Sequence, residues 1–471
     1  MDREPRRRAY VRTLEEMLIF LGPFGCTLYW TNQDFNKADW DLRWDWPSWK
    51  RKIITFDAVR FDSNDFWTNN ATHAASGLIY YWIPRSNGLS IAASFGVAFL
   101  GSAAWEYLVE FKENPSLNDM IYTPLVGLPI GESIFQLGEL FDRGSNGLGI
   151  RVLAEILGAP RKLHDRLDGA GSRRAKAFDA LGLPADVYHR FTLSAGLADT
   201  WTTTEAPPQS RFDVGFESEV VDLPHYGKVG HAGGFVTDRG FTRLAIEASI
   251  GERRVERLSL DARATLFGWY HQEIDRDAAG DLRGSSFFLG AATSLDYVQR
   301  WIGSIQDRMT VVRGIGLASD TNLHAGGLSV HASADASFDF AMVTPLSAQD
   351  WLATEHRYTK SIVSDSGYYY AIGFSIDPKI TLRYSRFDVG FAGRFDTFSS
   401  IDGRDRLQDR IQVDAHLTDR RIEWKGFAGV TAIEGWRFQA SFTQRYRESH
   451  VAGFSASNLE RSAVVATTVS F

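Results

Sequence analysis

From about residue 187 to the C-terminus the chain repeats one pattern, an alternation of apolar and polar residues with a period of two. Leu258-Ser259-Leu260-Asp261-Ala262-Arg263-Ala264-Thr265-Leu266 alternates throughout, as do Ile411-Gln412-Val413-Asp414-Ala415-His416-Leu417-Thr418 and Trp436-Arg437-Phe438-Gln439-Ala440-Ser441-Phe442-Thr443. Successive side chains of a strand point to opposite faces, so each stretch reads as a strand with one greasy face and one charged face. Roughly twelve such segments are expected, near 187–201, 210–223, 234–250, 254–273, 282–298, 307–320, 325–342, 362–376, 379–397, 408–432, 434–447 and 457–471. Many have the ~10 residues that a tilted strand needs to cross a bilayer. In lipid every backbone N–H and C=O must be paired, so a long series of such strands predicts a closed sheet.

The connections carry a second signal. Asp377-Pro378-Lys379 and Glu434-Gly435 read as tight turns, whereas 343–361, 398–407 and 448–456 read as longer polar loops. Short turns on the periplasmic side and long loops outside are the habit of outer-membrane barrels. The last strand, Ala463-Val464-Val465-Ala466-Thr467-Thr468-Val469-Ser470-Phe471, alternates and closes on Phe, like the sorting and assembly signal of Gram-negative outer-membrane proteins. The expected fold is therefore an antiparallel transmembrane β-barrel of about 12 strands over 186–471, preceded by a helical, membrane-associated domain over 1–185. The competing fold is a soluble, aromatic-rich all-β sandwich.

Composition agrees with the barrel. Phe, Tyr and Trp make up 13% of the 471 residues, and barrels use such side chains as girdles at the two membrane interfaces. The mean hydropathy of −0.21 is too polar for a bundle of membrane helices. A net charge of −7 argues against nucleic acid as a partner. A single cysteine, Cys26, excludes an intrachain disulfide. The basic start Met1–Arg8 is not a complete export signal, because Arg12, Glu15 and Glu16 interrupt the apolar run that would follow; the signal is expected upstream, already removed, or misassigned.

The N-terminal part has different periodicity. Residues 10–30 read as a helix with Leu14, Met17, Leu18 and Leu21 on one face, and Trp40, Trp44, Trp46 and Trp49 stand among Asp39, Asp41, Arg43 and Asp45. Tryptophan favours the membrane interface; packing onto the domain is the equal alternative. Residues 90–111 and 119–141 are the most apolar pair and predict an antiparallel hairpin, with Ser116 and Asp119 as a capping box. Ala98, Gly101 and Ser102 on one helix and Gly127 and Gly131 on the other would let the backbones approach. Glu106, Glu110, Pro124 and Pro129 favour re-entrant or interfacial burial over a clean span. An amphipathic segment follows near 150–168.

Several long motifs cluster in this region: Phe66-Trp67-Thr68-Asn69-Asn70-Ala71-Thr72-His73, Gly77-Leu78-Ile79-Tyr80-Tyr81, Arg85-Ser86-Asn87-Gly88, Trp105-Glu106-Tyr107 through Glu110, Pro115-Ser116-Leu117-Asn118-Asp119, Thr123-Pro124, Gly127 and Gly131-Glu132. Over roughly 50–145 they resemble a bacterial domain-of-unknown-function family. The resemblance implies an N-terminal helical domain joined to an outer-membrane barrel, and no established activity. The family pattern has Pro after the His, where this chain has Ala74. Glu110 through Gly131 is also similar to VanZ-like membrane proteins.

Glu106 and Glu110 lie four apart on one helix face. With His73, Asn118, Asp119 and Glu132 they form a polar set in an apolar domain, and ionisable groups at membrane depth are functional suspects. His73, Glu106, Glu110 and Asp119 are the catalytic candidates; Asn69, Arg85, Asn118 and Glu132 are the binding candidates. The competing reading makes Glu106, Glu110 and Asp119 helix caps or ion-pair partners of Arg85 or Lys112. His with carboxylates is also a donor set for a divalent metal, but no spaced motif is present, and neither a metal nor a cofactor is assigned. The polar barrel face carries both signs at Arg243, Glu247, Asp261, Arg263, Asp414, Arg437 and Arg445.

Two functions from different classes follow. One is a channel or transporter for a small or amphipathic solute, lipids included, with the helical domain as plug or periplasmic/inner-leaflet element. The other is an outer-membrane enzyme that modifies lipids through the His/Glu/Asp set. A structural barrel anchoring a periplasmic partner is a third. The expected partners are outer-membrane lipids and, through the strand ending at Phe471, the barrel assembly machinery. The expected location is the bacterial outer membrane, with the helical domain on its periplasmic side.

Overall fold

The computed structural model describes residues 9–31, 40–62, 64–170, 174–203, 209–302, 305–354, 363, 367–401 and 416–471. The chain divides into two compact units. One is built mainly from residues 1–174 and the other from 175–358, 367–400 and 415–471.

The second unit is a closed antiparallel barrel. Its strands are β1 (Tyr188–Thr202), β2 (Gln209–Val221), β3 (Gly230–Thr237), β4 (Phe241–Ile250), β5 (Val255–Arg276), β6 (Leu282–Ile302), β7 (Ile305–Ala325), β8 (Leu328–Val343), β9 (Tyr369–Tyr384), β10 (Phe387–Ser400), β11 (Leu417–Ile433), β12 (Trp436–Val451) and β13 (Phe454–Ser470). The ring runs β1-β2-β4-β5-β6 and onward in chain order to β13, which pairs back on β1. β3 and β4 share one edge of β5: β4 pairs with residues 255–264 and β3 with 267–274. Among the described residues, thirteen strands thus make twelve ring positions.

The expected alternation is directional. In β1, Leu193, Leu197 and Trp201 are exposed, while Ala198 and Thr200 are buried. The same outward row continues through Phe212, Ile246, Leu258, Phe391, Phe438 and Val465. A ring whose outer surface is this apolar is matched to lipid. The unit is an outer-membrane β-barrel, and the soluble sandwich is excluded by closure.

Several local expectations need correction. Pro378 does not make a turn: it lies inside β9, and the tight turn follows at Ser385-Arg386, where Ser385 takes a positive φ of 54°. Pro378 sits opposite Ala334 of β8. The segment 448–456 is no loop, because β12 and β13 join through Ala452-Gly453, both at positive φ. The single strand expected over 234–250 is broken at Asp238-Arg239-Gly240, where Asp238 and Gly240 have positive φ. The turn at Glu434-Gly435 forms as expected. The expectations over 362, 364–366 and 402–415, Asp414 included, lie outside the described residues.

The first unit is helical. Its main helices are α1 (Tyr10–Ile19), α2 (Thr27–Thr31), α3 (Trp46–Ile53), α4 (His73–Ser86), α5 (Ile91–Ala104), α6 (Leu117–Asp142), α7 (Leu148–Leu157) and α8 (Ala159–Leu167), with wide π turns at Phe20–Cys26, Thr68–Thr72 and Trp105–Val109. The α5–α6 hairpin is antiparallel: Ser102 Oγ donates to Asp119 O (3.1 Å), and Ser116 N–H donates to Glu106 Oε2 (2.8 Å). The expected capping box is absent. Ser116 Oγ donates instead to Asn118 Oδ1 (2.7 Å). The glycines serve other helices instead: Gly127 and Gly131 of α6 meet Gly77 and Tyr81 of α4, and Gly101 of α5 meets Met17 and Tyr80. Tertiary contact of α6 with α4 chose between two apolar neighbours that sequence spacing could not rank.

The lipid-facing row yields a test. Leu197→Arg puts a charge on the outer face near the middle of β1 and is expected to destabilise the barrel by about 2–4 kcal/mol. Urea unfolding from lipid vesicles reads this, and an unchanged midpoint would mean that position 197 does not face lipid.

Candidate functional site

The helical unit places its polar residues by a backbone crossing. A Cβ added at Gly77 would lie 2.0 Å from Thr123 O, and one at Gly127 would lie 2.2 Å from Gly77 O. Only glycine permits this approach of α4 and α6. Four residues before Gly77 is His73; four and eight before Gly127 are Thr123 and Asp119. Residues four apart share a helix face, so the crossing sets His73 against both. His73 Nδ1 lies 3.3 Å from Thr123 Oγ1, and His73 Nε2 lies 3.3 Å from Asp119 Oδ1.

A third acid arrives from the preceding extended segment. Arg60 bridges to the start of α6: its N–H donates to Pro115 O (3.0 Å), and its carbonyl accepts from Leu117 N–H (2.7 Å). Two residues on, Asp62 N–H donates to Asn118 Oδ1 (2.9 Å). Asp62 Oδ1 accepts from Asn69 Nδ2 (2.7 Å) and Asn118 Nδ2 (3.0 Å), and Asp62 Oδ2 accepts from Asn64 Nδ2 (2.7 Å). Asn118 Nδ2 also reaches Asp119 Oδ1 at 2.9 Å. Asp65 supports the approach by accepting from the N–H groups of Trp67 and Thr68, so that Asn69 and His73 follow on successive turns. One donor atom each from Asp62, His73 and Asp119 lies within 4.8 Å of the others. Burial lowers the His73 pKa below its ordinary value. Burial, and then the neighbouring Asp62, raise that of Asp119.

The sequence candidates therefore divide. His73, Asp119, Asn69 and Asn118 come together. Glu106 is one bond removed, holding Ser116 N–H at the start of α6. Glu110 is pushed up to about 8, by burial first and then by Glu113. Arg85 and Glu132 form a separate lock. The Arg85 guanidinium donates twice to Glu132 (2.8 and 3.0 Å), and the same carboxylate accepts from Tyr81 Oη (2.7 Å) and Gln136 Nε2 (2.6 Å). Arg85 also lies 4.4 Å from the Phe135 ring centre. A buried charge pair satisfied this fully fastens two helices. Lys112 is held by the rings of Trp40 and Trp30, at 3.8 and 5.0 Å. Sequence reasoning missed Asp62, which belongs to an extended segment with no periodic signal; only its place eleven residues before His73 ties it to the motif.

The barrel holds a second polar centre. Arg300 (β6) reaches Glu460 (β13) at 3.3 Å, Arg447 (β12) pairs with Asp307 (β7), and Arg421 (β11) reaches Asp296 (β6) at 3.5 Å. Each of these three pairs spans five places round the twelve-position ring, so the lumen is bridged. Arg300 also binds Asp307 (2.8 Å), Arg445 binds Glu423 (2.6 Å) and Glu460 (2.8 Å), and Arg447 Nη2 binds Asp419 (2.9 Å) and Thr344 O (2.7 Å). The layer lies toward the β6–β7 and β12–β13 turns. Beyond it the connection after β8 folds inward: Ser347 N–H donates to Ser449 Oγ (2.8 Å), and Trp351 is fully buried.

At the opposite end the β2–β3 connection turns into the mouth. Tyr226 donates to Asp320 of β7 (3.1 Å) and packs edge-on against Tyr188 and Phe241. Gln272 Nε2 donates to the carbonyls of His225 (2.8 Å) and Lys228 (2.9 Å), which fastens the turn. Between lid and ion-pair layer, Arg243 lies 3.5 Å from Glu217 and 3.4 Å from Asp261, and these side chains stay 31–40% exposed inside the wall. Arg263 pairs with Asp335, and Arg437 with Asp388.

Residues 58–160 match the family described as a domain of unknown function, DUF3943. That match adds nothing to the VanZ-like similarity at 110–131. No curated protein matches the chain. Among solved structures, a loop-deletion mutant of OmpT, an outer membrane protein of Vibrio cholerae, is 6% identical over 61% of this chain and 100% of its own, with a TM-score of 0.22. The translocator domain of the autotransporter NalP from Neisseria meningitidis is 10% identical over 67% and 97%, with a TM-score of 0.20. The outer membrane channel DcaP of Acinetobacter baumannii is 9% identical over 63% and 100%, with a TM-score of 0.22.

The crossing of α4 and α6 can be tested directly. Gly77→Ala forces a methyl against the Thr123 carbonyl and is expected to destabilise the helical unit by about 1–3 kcal/mol or more. Thermal loss of the helical circular-dichroism signal reads this. A wild-type melt would mean that the two backbones are not in contact.

Proposed function

We propose that the protein is a gated outer-membrane conduit for a small charged or amphipathic solute, with the helical unit on the periplasmic side of the membrane. The observation that carries this reading is the half-exposed charged chamber around Arg243, Glu217 and Asp261, closed by polar groups at both ends. A barrel that needs only to be sealed gains more from apolar packing than from buried ion pairs, which roughly break even against hydrophobic replacements. Ion pairs can instead be exchanged for water or for a charged solute, which supports a lumen that opens. The helical unit exposes Leu14, Leu18, Phe99, Leu100, Leu148 and Ile156, and also Trp44, Trp46 and Trp67. Its helix Ile91–Val109 is long and apolar enough to cross a membrane by length and composition. Surfaces of this kind favour a lipid interface.

A second reading, an outer-membrane enzyme acting on lipids, is favoured by the 3.3 Å contact of His73 with Asp119.

Each reading has its measurement. In planar bilayers the wild-type protein is expected to conduct rarely, and the double variant Arg300→Ala/Arg447→Ala is expected to conduct several-fold more; a double variant that stays sealed rejects the conduit. In proteoliposomes the enzyme reading expects lipid turnover that disappears in His73→Ala, and equal turnover in the variant rejects it.

A further inference from the structure

We propose that Asp62, His73 and Asp119 bind one divalent transition-metal ion of the Zn2+ type, with the remaining coordination open to water. Three donor residues plus a water is the pattern of open zinc sites, in which bonds of roughly 2.0–2.2 Å set tetrahedral ligand atoms about 3.3–3.6 Å apart. The 3.3 Å between His73 Nε2 and Asp119 Oδ1 already has that spacing. Asp62, within 4.8 Å of both, completes the set by a shift of at most about 1.5 Å.

The donors are brought together by features that do not involve a ligand. The Arg60 bridge to Pro115 and Leu117 carries Asp62, and the Gly77–Gly127 crossing carries His73 and Asp119. The surrounding groups orient them as the hydrogen-bond partners of metal ligands do. His73 Nδ1 lies 3.3 Å from Thr123 Oγ1, which can accept from Nδ1–H and so leave the Nε2 lone pair to face the acids when a metal is bound. The amides of Asn69, Asn118 and Asn64 fix the Asp62 carboxylate. Two carboxylates facing one imidazole suit a borderline ion, preferring Zn2+ to Mn2+ and Mn2+ to Mg2+; a site for a soft ion would need thiolates. The side chain of His73 keeps 17% of its surface open, so an ion and its water have a way in. This inference depends on neither reading of function above.

The test uses the full chain in detergent, stripped with a chelator and titrated by calorimetry with ZnCl2, MnCl2 or MgCl2 alone. One equivalent of Zn2+ is expected, with Mg2+ much weaker. Asp62→Asn and His73→Ala are expected to abolish stoichiometric binding, and Thr123→Val, which keeps every donor, to weaken it about 10-fold or more. Co2+ on the wild-type protein is expected to give ligand-field bands that ethylenediaminetetraacetate removes, a readout that survives if the first two variants do not fold. His231→Ala, at an exposed turn-side histidine, is expected to bind like wild type. Less than one equivalent on the wild type, wild-type affinity in folded Asp62→Asn or His73→Ala, an unaffected Thr123→Val, or loss of binding in His231→Ala would each overturn the proposal.

Discussion

Between Thr192 and Thr202 the first strand of the barrel pairs antiparallel with the last, from Ser470 back to Glu460. This seam closes the ring, and among the described strands the short β3 alone pairs on one side, with β5. In hydrocarbon an unpaired strand edge is prohibitively costly, because no water can satisfy its N–H and C=O groups. Closure therefore licenses the rest: with the backbone satisfied, one face of every strand is free to be apolar and the other to be charged. Phe471 belongs to the seam, exchanging backbone hydrogen bonds with Phe191 at 2.9 and 3.2 Å.

Once the ring closes, its inward side chains must find partners across the lumen. Arginine suits this because its planar fork can bind two carboxylates at once. Arg300 holds Asp307 and Glu460, and Arg447 holds Asp307 and Asp419. Truncating one partner leaves an uncompensated charge in a confined space, so the pairs work as a set. The helical unit meets the same need by the opposite means. It removes side chains at Gly77 and Gly127, brings backbones into contact, and lets the polar groups one turn away converge. Long charged arms bridge a gap in one unit, and missing side chains close one in the other.

The barrel was legible in the chain because period-two patterning is local. Whether Leu258 or Ser259 faces lipid depends only on parity along one strand, and twelve such stretches, together with an apolar outer row, imply a ring. Turn positions were less legible. Pro378 reads as a turn former, yet it extends β9: it pairs with Ala334 of β8, while the ladder to β10 skips from Lys379 to Ile376, so the missing N–H removes no rung on that side. The helical hairpin was legible from hydropathy, but the partner of Gly127 was not, since an apolar helix with small residues fits more than one neighbour.

What the amino-acid sequence determined by itself was therefore everything set by near neighbours: strand parity, number of crossings, helix existence, and the identities of His73, Asn69, Asn118 and Asp119 as polar residues in an apolar domain. Tertiary structure alone decided which of them meet. Asp62 joins His73 and Asp119 only because an extended segment bridges to the start of α6, and Arg300 finds Glu460 only because the ring closes at one circumference. Contacts between residues 46 or 160 positions apart depend on chain geometry summed over everything between them, and no local pattern encodes that sum.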